Sequence, residues 1–188
     1  MTMTAGPLTE YPKTWVLAEG TKAVVRPMLR EDRDRLALFF KRIPEEELHF
    51  LKDDVTDLRI IDRWIETLDY NRVLPLIVEV GSRIVADASL HRRREGWRRH
   101  LGGVRVVVDP AYRHKGLAAG LIVELIDIAG REGLERLYAE IPADDAGAVE
   151  VFENRGFKQV ARFDRNIVDR TGEYHDLTVY HLDLAEKR

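Results

Sequence analysis

The chain has no cysteine. That excludes a disulfide framework, a thiolate zinc site and a cysteine nucleophile, and it fits a reducing compartment such as the cytoplasm. No apolar run reaches the roughly eighteen residues that a membrane-spanning helix needs, and residues 1–21 lack the apolar centre of a signal peptide. The expectation is a cytoplasmic protein without a membrane partner. Neither sign of charge dominates: 30 Lys and Arg face 33 Asp and Glu, for a formal net charge of −3. Such a balance gives no general pull toward nucleic acid, so none is expected as a partner. Two familiar phosphate loops are missing as well. There is no Gly-x-x-x-x-Gly-Lys-Ser/Thr, which excludes a P-loop nucleotidase, and no Gly-x-Gly-x-x-Gly after the first strand, which argues against a dinucleotide fold. No metal is expected, and no internal repeat is visible.

What is present is one domain's worth of apolar sequence. With 188 residues, 45% of them hydrophobic, the chain can bury one sizeable core but not two. Residues 1–21 read as an N-terminal arm that Tyr11, Trp15, Val16 and Leu17 would dock onto the body or onto a second copy in a homodimer, and residues 22–188 read as a single domain. Residues 21–28 form the first expected strand, ended by Pro27. Residues 31–43 and 57–68 place Leu36, Phe39, Phe40 and Ile43, then Ile60, Ile61, Trp64, Ile65 and Leu68, at helical spacing. Residues 73–80 and 83–90 alternate around Gly81-Ser82 as a hairpin. Residues 134–141 read as a strand closed by Pro142. Asp144 or Asp145 then caps a helix through Phe152, which Gly156 ends, and residues 157–168 and 174–184 are two long strands joined at Thr171-Gly172.

The stretch at 104–120 organises the rest. Val104, Val106, Val107 and Val108 form a β-branched strand, Asp109-Pro110 stops it, and Leu117, Leu121, Ile122, Leu125, Ile126 and Ala129 follow on one helical stripe. Between them, Arg113, His114, Lys115, Gly116, Leu117 and Ala118 enter the helix. Its first amides lack intrahelical acceptors and its N-terminus is partially positive. Gly116 and Ala118 keep side-chain bulk away, so a phosphate or pyrophosphate can approach the backbone at 113–118. The same residues also suit an ordinary strand–turn–helix packed tightly through glycine.

Residues 108–118, Val-Asp-Pro-Ala-Tyr-Arg-His-Lys-Gly-Leu-Ala, resemble the acetyl-coenzyme A motif of the GNAT superfamily of N-acetyltransferases, Arg/Gln-x-x-Gly-x-Gly/Ala after a strand ending in Val-x-Pro. A second resemblance follows at 148–157, where Ala148, Phe152, Gly156 and Phe157 match the family's Ala-x-x-x-Tyr-x-x-x-Gly-Phe. The likeness covers roughly residues 22–183. It implies an α/β fold of GNAT type: a mixed, mostly antiparallel sheet of about seven strands flanked by helices, in the order βααβββαβαββ, with the fourth and fifth strands splayed to admit the pantetheine arm. It also implies acetyl-CoA as acyl donor and an amine as acceptor. Val106 and Val108 would hold the thioester through the backbone beside Val107, and the amides from Arg113 through His114, Lys115, Gly116 and Leu117 to Ala118 and Ala119 would seat the pyrophosphate. Asp145, Phe152 and Arg155 would complete the coenzyme site.

The sequence departs from the family at the catalytic positions. Phe152 stands where a tyrosine often protonates the thiolate, Asp145 stands in place of an asparagine, and Gly102-Gly103-Val104 stands where many members carry a basic glutamate. Substitute acid–base groups are Glu140, near the end of the fifth strand, and Tyr174, in the last hairpin; each also reads as a plain strand or packing residue. Asp87, His91 and His175 are further candidates. Residues 91–100 carry Arg92, Arg93, Arg94, Arg98 and Arg99 around Trp97. They read either as a solvated loop or as an electrostatic collar for an acidic acceptor, a protein partner or the coenzyme's phosphates. The resulting expectation is an N-acetyltransferase acting on a small-molecule amine, a protein lysine or a protein N-terminus. The missing tyrosine and glutamate leave a non-catalytic acyl-CoA-binding regulatory module as the alternative.

Overall fold

A computed structural model describes residues 8–184. Its strands are β1 (Lys13–Val16), β2 (Lys22–Pro27), β3 (Val73–Val80), β4 (Arg83–Arg92), β5 (Leu101–Val108), β6 (Arg136–Pro142), β7 (Lys158–Val168) and β8 (Tyr174–Asp183). Its helices are α1 (Arg33–Phe40), α2 (Glu45–Leu48), α3 (Leu58–Glu66), α4 (Leu117–Arg131) and α5 (Ala146–Glu153). The strands make one sheet in the order β1-β2-β3-β4-β5-β6-β8-β7. Neighbours are antiparallel except β5 and β6, which run parallel and are joined by the crossover helix α4.

Helices cover both faces. On one, Leu121, Ile122, Leu125 and Ile128 of α4 pack with Leu76, Ala88 and Leu90 of the sheet. On the other, Phe39 and Phe40 of α1 and Ile61 and Ile65 of α3 pack on Ile77 and Ile84. Strand alternation therefore sorts β5: Val104, Val106 and Val108 belong to the α4 side, while Val107 packs with the α1–α3 cluster. A charged knot ties β2 to α1. Asp32, fully buried, accepts from Leu29 N at 2.7 Å and from Arg26 Nη1 and Nη2 at 2.8 and 2.7 Å, and Arg26 also pairs with Glu79 on β3.

The sheet has eight strands where about seven were expected. The extra one is β1, which lies in the expected arm. It is only four residues long and directly follows Pro12, too short for a pattern of alternation to register in the sequence. It pairs with β2 from Lys13↔Val25 to Val16↔Lys22. The Trp15 ring lies over α4 at Gly120, where a Cβ would stand 2.8 Å from the indole. Glu124 of α4 accepts from Tyr11 Oη at 2.6 Å and from Lys13 Nζ at 2.7 Å. The described part of the arm thus docks on this chain's own body. The rest of it, residues 1–7, lies outside the described residues. The single turn α2 was also not anticipated, and the helix expected at 31–43 begins as a 3-10 turn at Arg30–Asp32 before α1.

Candidate active site

The end of β5 is fixed from two directions. Asp109, 3% exposed, accepts from Arg42 Nε of the α1 end at 2.6 Å and from Ala111 N at 3.1 Å, which closes the 3-10 turn Pro110–Tyr112. Arg113 turns back: its Nη1 reaches Glu47 of α2 at 2.8 Å and its Nε reaches the Val108 carbonyl at 3.3 Å. The chain then enters α4 through two left-handed residues, His114 at φ 58° and Gly116 at φ 83°. Gly116 is the N-cap and offers no side chain to the helix. From His114 through Ala119, no backbone N–H finds an acceptor among the described residues; the first α4-end contact is Gly120 N to Gly116 O at 2.9 Å. These six consecutive amides stand at the positive end of a 15-residue helix, an arrangement able to receive an anion. The side chains of this expected site stretch serve structure. Arg113 braces α2, Lys115 binds the Glu19 carboxylate and lies 5.5 Å above the Tyr112 ring, and Leu117 is buried in the core. His114 is exposed.

A gap opens beside this amide row. β5 and β6 pair only at Leu101↔Arg136, Gly102↔Leu137 and Gly103↔Tyr138, after which β5 continues along β4 and β6 along β8. This is the splay expected for the fourth and fifth strands of the sequence reading, here β5 and β6. Asp109 N donates to Val85 O of β4 at 2.9 Å. Ladder alternation then directs the Val107 N–H to β4 and leaves the N–H groups of Val106 and Val108 facing the gap. Val107 thus does not belong with its neighbours, since both its backbone and its side chain are spent on the sheet.

On the α1–α3 side of the gap a polar cleft collects residues from distant segments. Asp87, Ser89 and His91 alternate along β4, Arg105 stands on β5, and Glu140 stands on β6 across the gap, with Leu137, Ala139 and Ile141 packed to the opposite face. The segment after α2 closes over them: Lys52 binds the Glu140 carboxylate, and Asp53 lies 3.3 Å from Arg105. Burial pushes the Asp87 carboxyl up to about 7, with Arg105 drawing it back. Burial, with Arg105 and Lys52 adding to it, pulls the His91 imidazole down to about 4. His91 Nε2 lies 2.9 Å from Ser89 Oγ. Arg105, Lys52, Asp53 and Ser89 were missed in the sequence. Arg105 carried a signal, because a lone cation inside a valine run marks a strand face that is not core; Lys52 and Asp53 carried none.

The last hairpin reaches the same cleft through His175, whose ring meets Phe50 edge-on at 4.9 Å. Its Nδ1 and Nε2 lie 3.2 and 3.1 Å from Asp144 and Asp169, so both nitrogens face carboxylates, and these raise its basicity. Tyr174 is not brought to the site. It is 54% exposed, it lies 4.6 Å beneath the Arg165 guanidinium, and alternation along β8 turns it to the face opposite Glu140. Asp145 spends its carboxylate on its own helix, accepting from Ala148 N at 2.9 Å. Phe152 is buried edge-on against Phe157, 5.0 Å away, and builds core. Arg155 keeps a buried Nε with no hydrogen-bond partner and lines a surface cleft of about 390 Å³ with Val123, Ile126, Asn154 and Gly156. The basic block cannot hold phosphates at the α4 seat. It lies at the start of β5, whose eight residues separate it from that seat by about 25 Å.

No helix among the described residues is long and apolar enough to cross a membrane. A family model described as the acetyltransferase (GNAT) family matches residues 37–157, which contain the amide row, the splay and the cleft residues other than His175. The [Ribosomal protein bS18]-alanine N-acetyltransferase of Escherichia coli strain K12 is 31% identical over 80 residues, covering 43% of this chain and 53% of that protein. The chain thus spans about half the length of the curated relatives it matches. The GNAT domain of S. lividans PAT superposes with a TM-score of 0.76 at 20% identity, covering 92% of this chain and 96% of that one, a likeness of fold. A putative acetyltransferase from Salmonella typhimurium, solved with its cofactor acetyl-CoA, superposes with a TM-score of 0.73 at 25% identity over 86% of this chain and 94% of that one. With a family model spanning most of its length, the chain belongs to the acetyltransferase (GNAT) family.

Proposed function

We propose that this protein is an acetyl-CoA-dependent N-acetyltransferase that acetylates a primary amine by direct attack, and that it works in the cytoplasm. The observation that carries this reading is the row of unpartnered amides from His114 to Ala119 at the mouth of the β5–β6 gap. It supplies a diphosphate seat with a slot beside it for an extended arm, and that pairing fits the pyrophosphate and pantetheine of acetyl-CoA. The Escherichia coli relative is named as an N-acetyltransferase of an alanine of ribosomal protein bS18, which puts a peptide amine first among the acceptors to try.

The reaction forms a bond between the amine nitrogen and the acetyl carbonyl carbon and breaks the carbon–sulfur bond. The gap-facing amides of Val106 and Val108 polarise the thioester and receive the charge that develops on its oxygen. Glu140, across the gap on the acceptor side and held by Lys52, takes the proton released by the amine. The leaving sulfur needs no dedicated acid, since a thiol with an ordinary pKa of about 8.5 leaves readily as thiolate and is reprotonated by solvent. Phe152, which has no hydroxyl, is therefore no obstacle. The test is thiol release from acetyl-CoA with a panel of alanine-initiated peptides, lysine peptides and small amines. Amine-dependent release supports the reading. Tight acetyl-CoA binding with no release across the panel would instead make the chain a non-catalytic acyl-CoA-binding module.

A further inference from the structure

The loop between β4 and β5 remains outside the chemistry described above. Its base is pinned: Arg92 donates through Nε to Asn71 O at 3.1 Å and sits 3.1 Å from Glu132, and Arg94 Nη2 donates to Asn71 Oδ1 at 2.6 Å. Its tip is bare. Trp97 is 87% exposed, more than any other large apolar side chain among the described residues, whereas Trp15 and Trp64 pack against the two cores. Arg93, Arg98 and Arg99 have no carboxylate within ion-pair distance among the described residues. Arg98 instead lies 5.4 Å over the Tyr138 ring, and Arg99 Nη1 donates to Gly96 O at 3.3 Å. Five arginines against the single Glu95 thus gather in residues 91–100 of a chain whose net charge is −3.

We propose that this loop is a docking site for single-stranded nucleic acid, with Trp97 as a stacking platform and Arg93, Arg98 and Arg99 on the phosphates. An acidic peptide would use the guanidiniums but has no base to lay on a bare indole. A single strand uses both, because its unstacked bases offer π-faces at the spacing of its charges. A duplex keeps its bases stacked and leaves the indole without a partner. The weak acidity of the whole chain spoke against nucleic acid, but the charge is segregated and this loop is its basic pole. Since the loop lies at the far end of β5 from the α4 seat, strand binding and acetyl-CoA binding do not compete.

The test is fluorescence anisotropy of a labelled oligouridine of about twelve nucleotides, titrated with the full-length protein across a salt series. The joint substitution Arg93→Ala, Arg98→Ala and Arg99→Ala is expected to weaken binding at least tenfold and to flatten the dependence of log affinity on log salt by about two. Trp97→Ala is expected to weaken binding about tenfold with the salt slope unchanged, and Trp97→Phe to restore most of it. Acetyl-CoA affinity, measured in parallel, stays at the wild-type level in every variant and reports an intact fold. No binding by the wild type overturns the proposal. So does equal displacement by polyglutamate together with an indifferent Trp97→Ala, which would make the loop a surface for acidic proteins.

Discussion

Asp87 and His91 stand on one face of β4 and titrate in opposite directions. The Asp87 carboxyl, raised to about 7, holds a proton in the folded chain that the unfolded chain releases. Its contribution to stability is complete below the ordinary carboxylate pKa and is lost as pH rises through about 7. His91, lowered to about 4, is neutral when folded, so its contribution is complete above the ordinary imidazole pKa and is lost as pH falls through about 4. Between those limits the two cancel. Asp87→Asn should unmask the histidine: stability measured by urea melts should climb from pH 4 to 6.5, by at most about 1.4 kcal/mol per pH unit, and exceed wild type at pH 8. Glu140→Gln should leave the fold intact and lower kcat about a hundredfold with little change in KM for acetyl-CoA. At this scale the sequence was only partly legible. Val106, Val107 and Val108 were named together from the family resemblance, and only the register with β4 separates Val107 from the other two. The Lys52 contact to Glu140 could not be named, since it joins residues 88 apart in the chain. Tyr174 was misplaced because an exposed hairpin tip carries no mark of which face it presents.

Among the elements, α4 and the loop before it were the most legible, since a β-branched strand, a proline stop, a glycine and an apolar stripe follow in order. Gly116 sits at φ 83°, where a β-branched residue is strained. Gly116→Val should cost about 1–2 kcal/mol and, by tilting the amide row, raise the acetyl-CoA Kd more than tenfold, read by calorimetry. Gly120→Leu should have a different signature. It displaces the Trp15 ring, releases β1 from α4 and exposes an indole, seen as a red-shifted tryptophan emission with a smaller effect on coenzyme affinity. The elements that escaped were the short ones. β1 has four residues and α2 a single turn, and tertiary contacts from Glu124 and Arg113 hold them in place of any pattern of their own.

Across the whole molecule, two faces of one sheet are given different work. The α4–α5 face builds the larger core and presents the unpartnered amides at the start of α4, while the α1–α3 face carries the polar cleft. The buried Asp32 knot ties β2 and β3 to the start of α1 on that second face. Arg26→Ala, which strips the bidentate partner from a fully buried carboxylate but leaves Arg35 nearby, should cost about 2–3 kcal/mol in denaturant unfolding. The family's overall plan was readable from two motifs, because one marks the entry to the crossover helix α4 between β5 and β6 and the other marks α5, which follows β6. The composition of the cleft was not, because it is assembled from four strands and a loop. The proposed function turns on the amides at the mouth of α4 holding the diphosphate of acetyl-CoA. Its most direct measurement is a two-dimensional amide-proton NMR titration with coenzyme A. Shifts should concentrate at residues 114–119, with Val106 and Val108 following, and saturate at a single stoichiometric equivalent. Saturable binding that leaves residues 114–119 unmoved would contradict it.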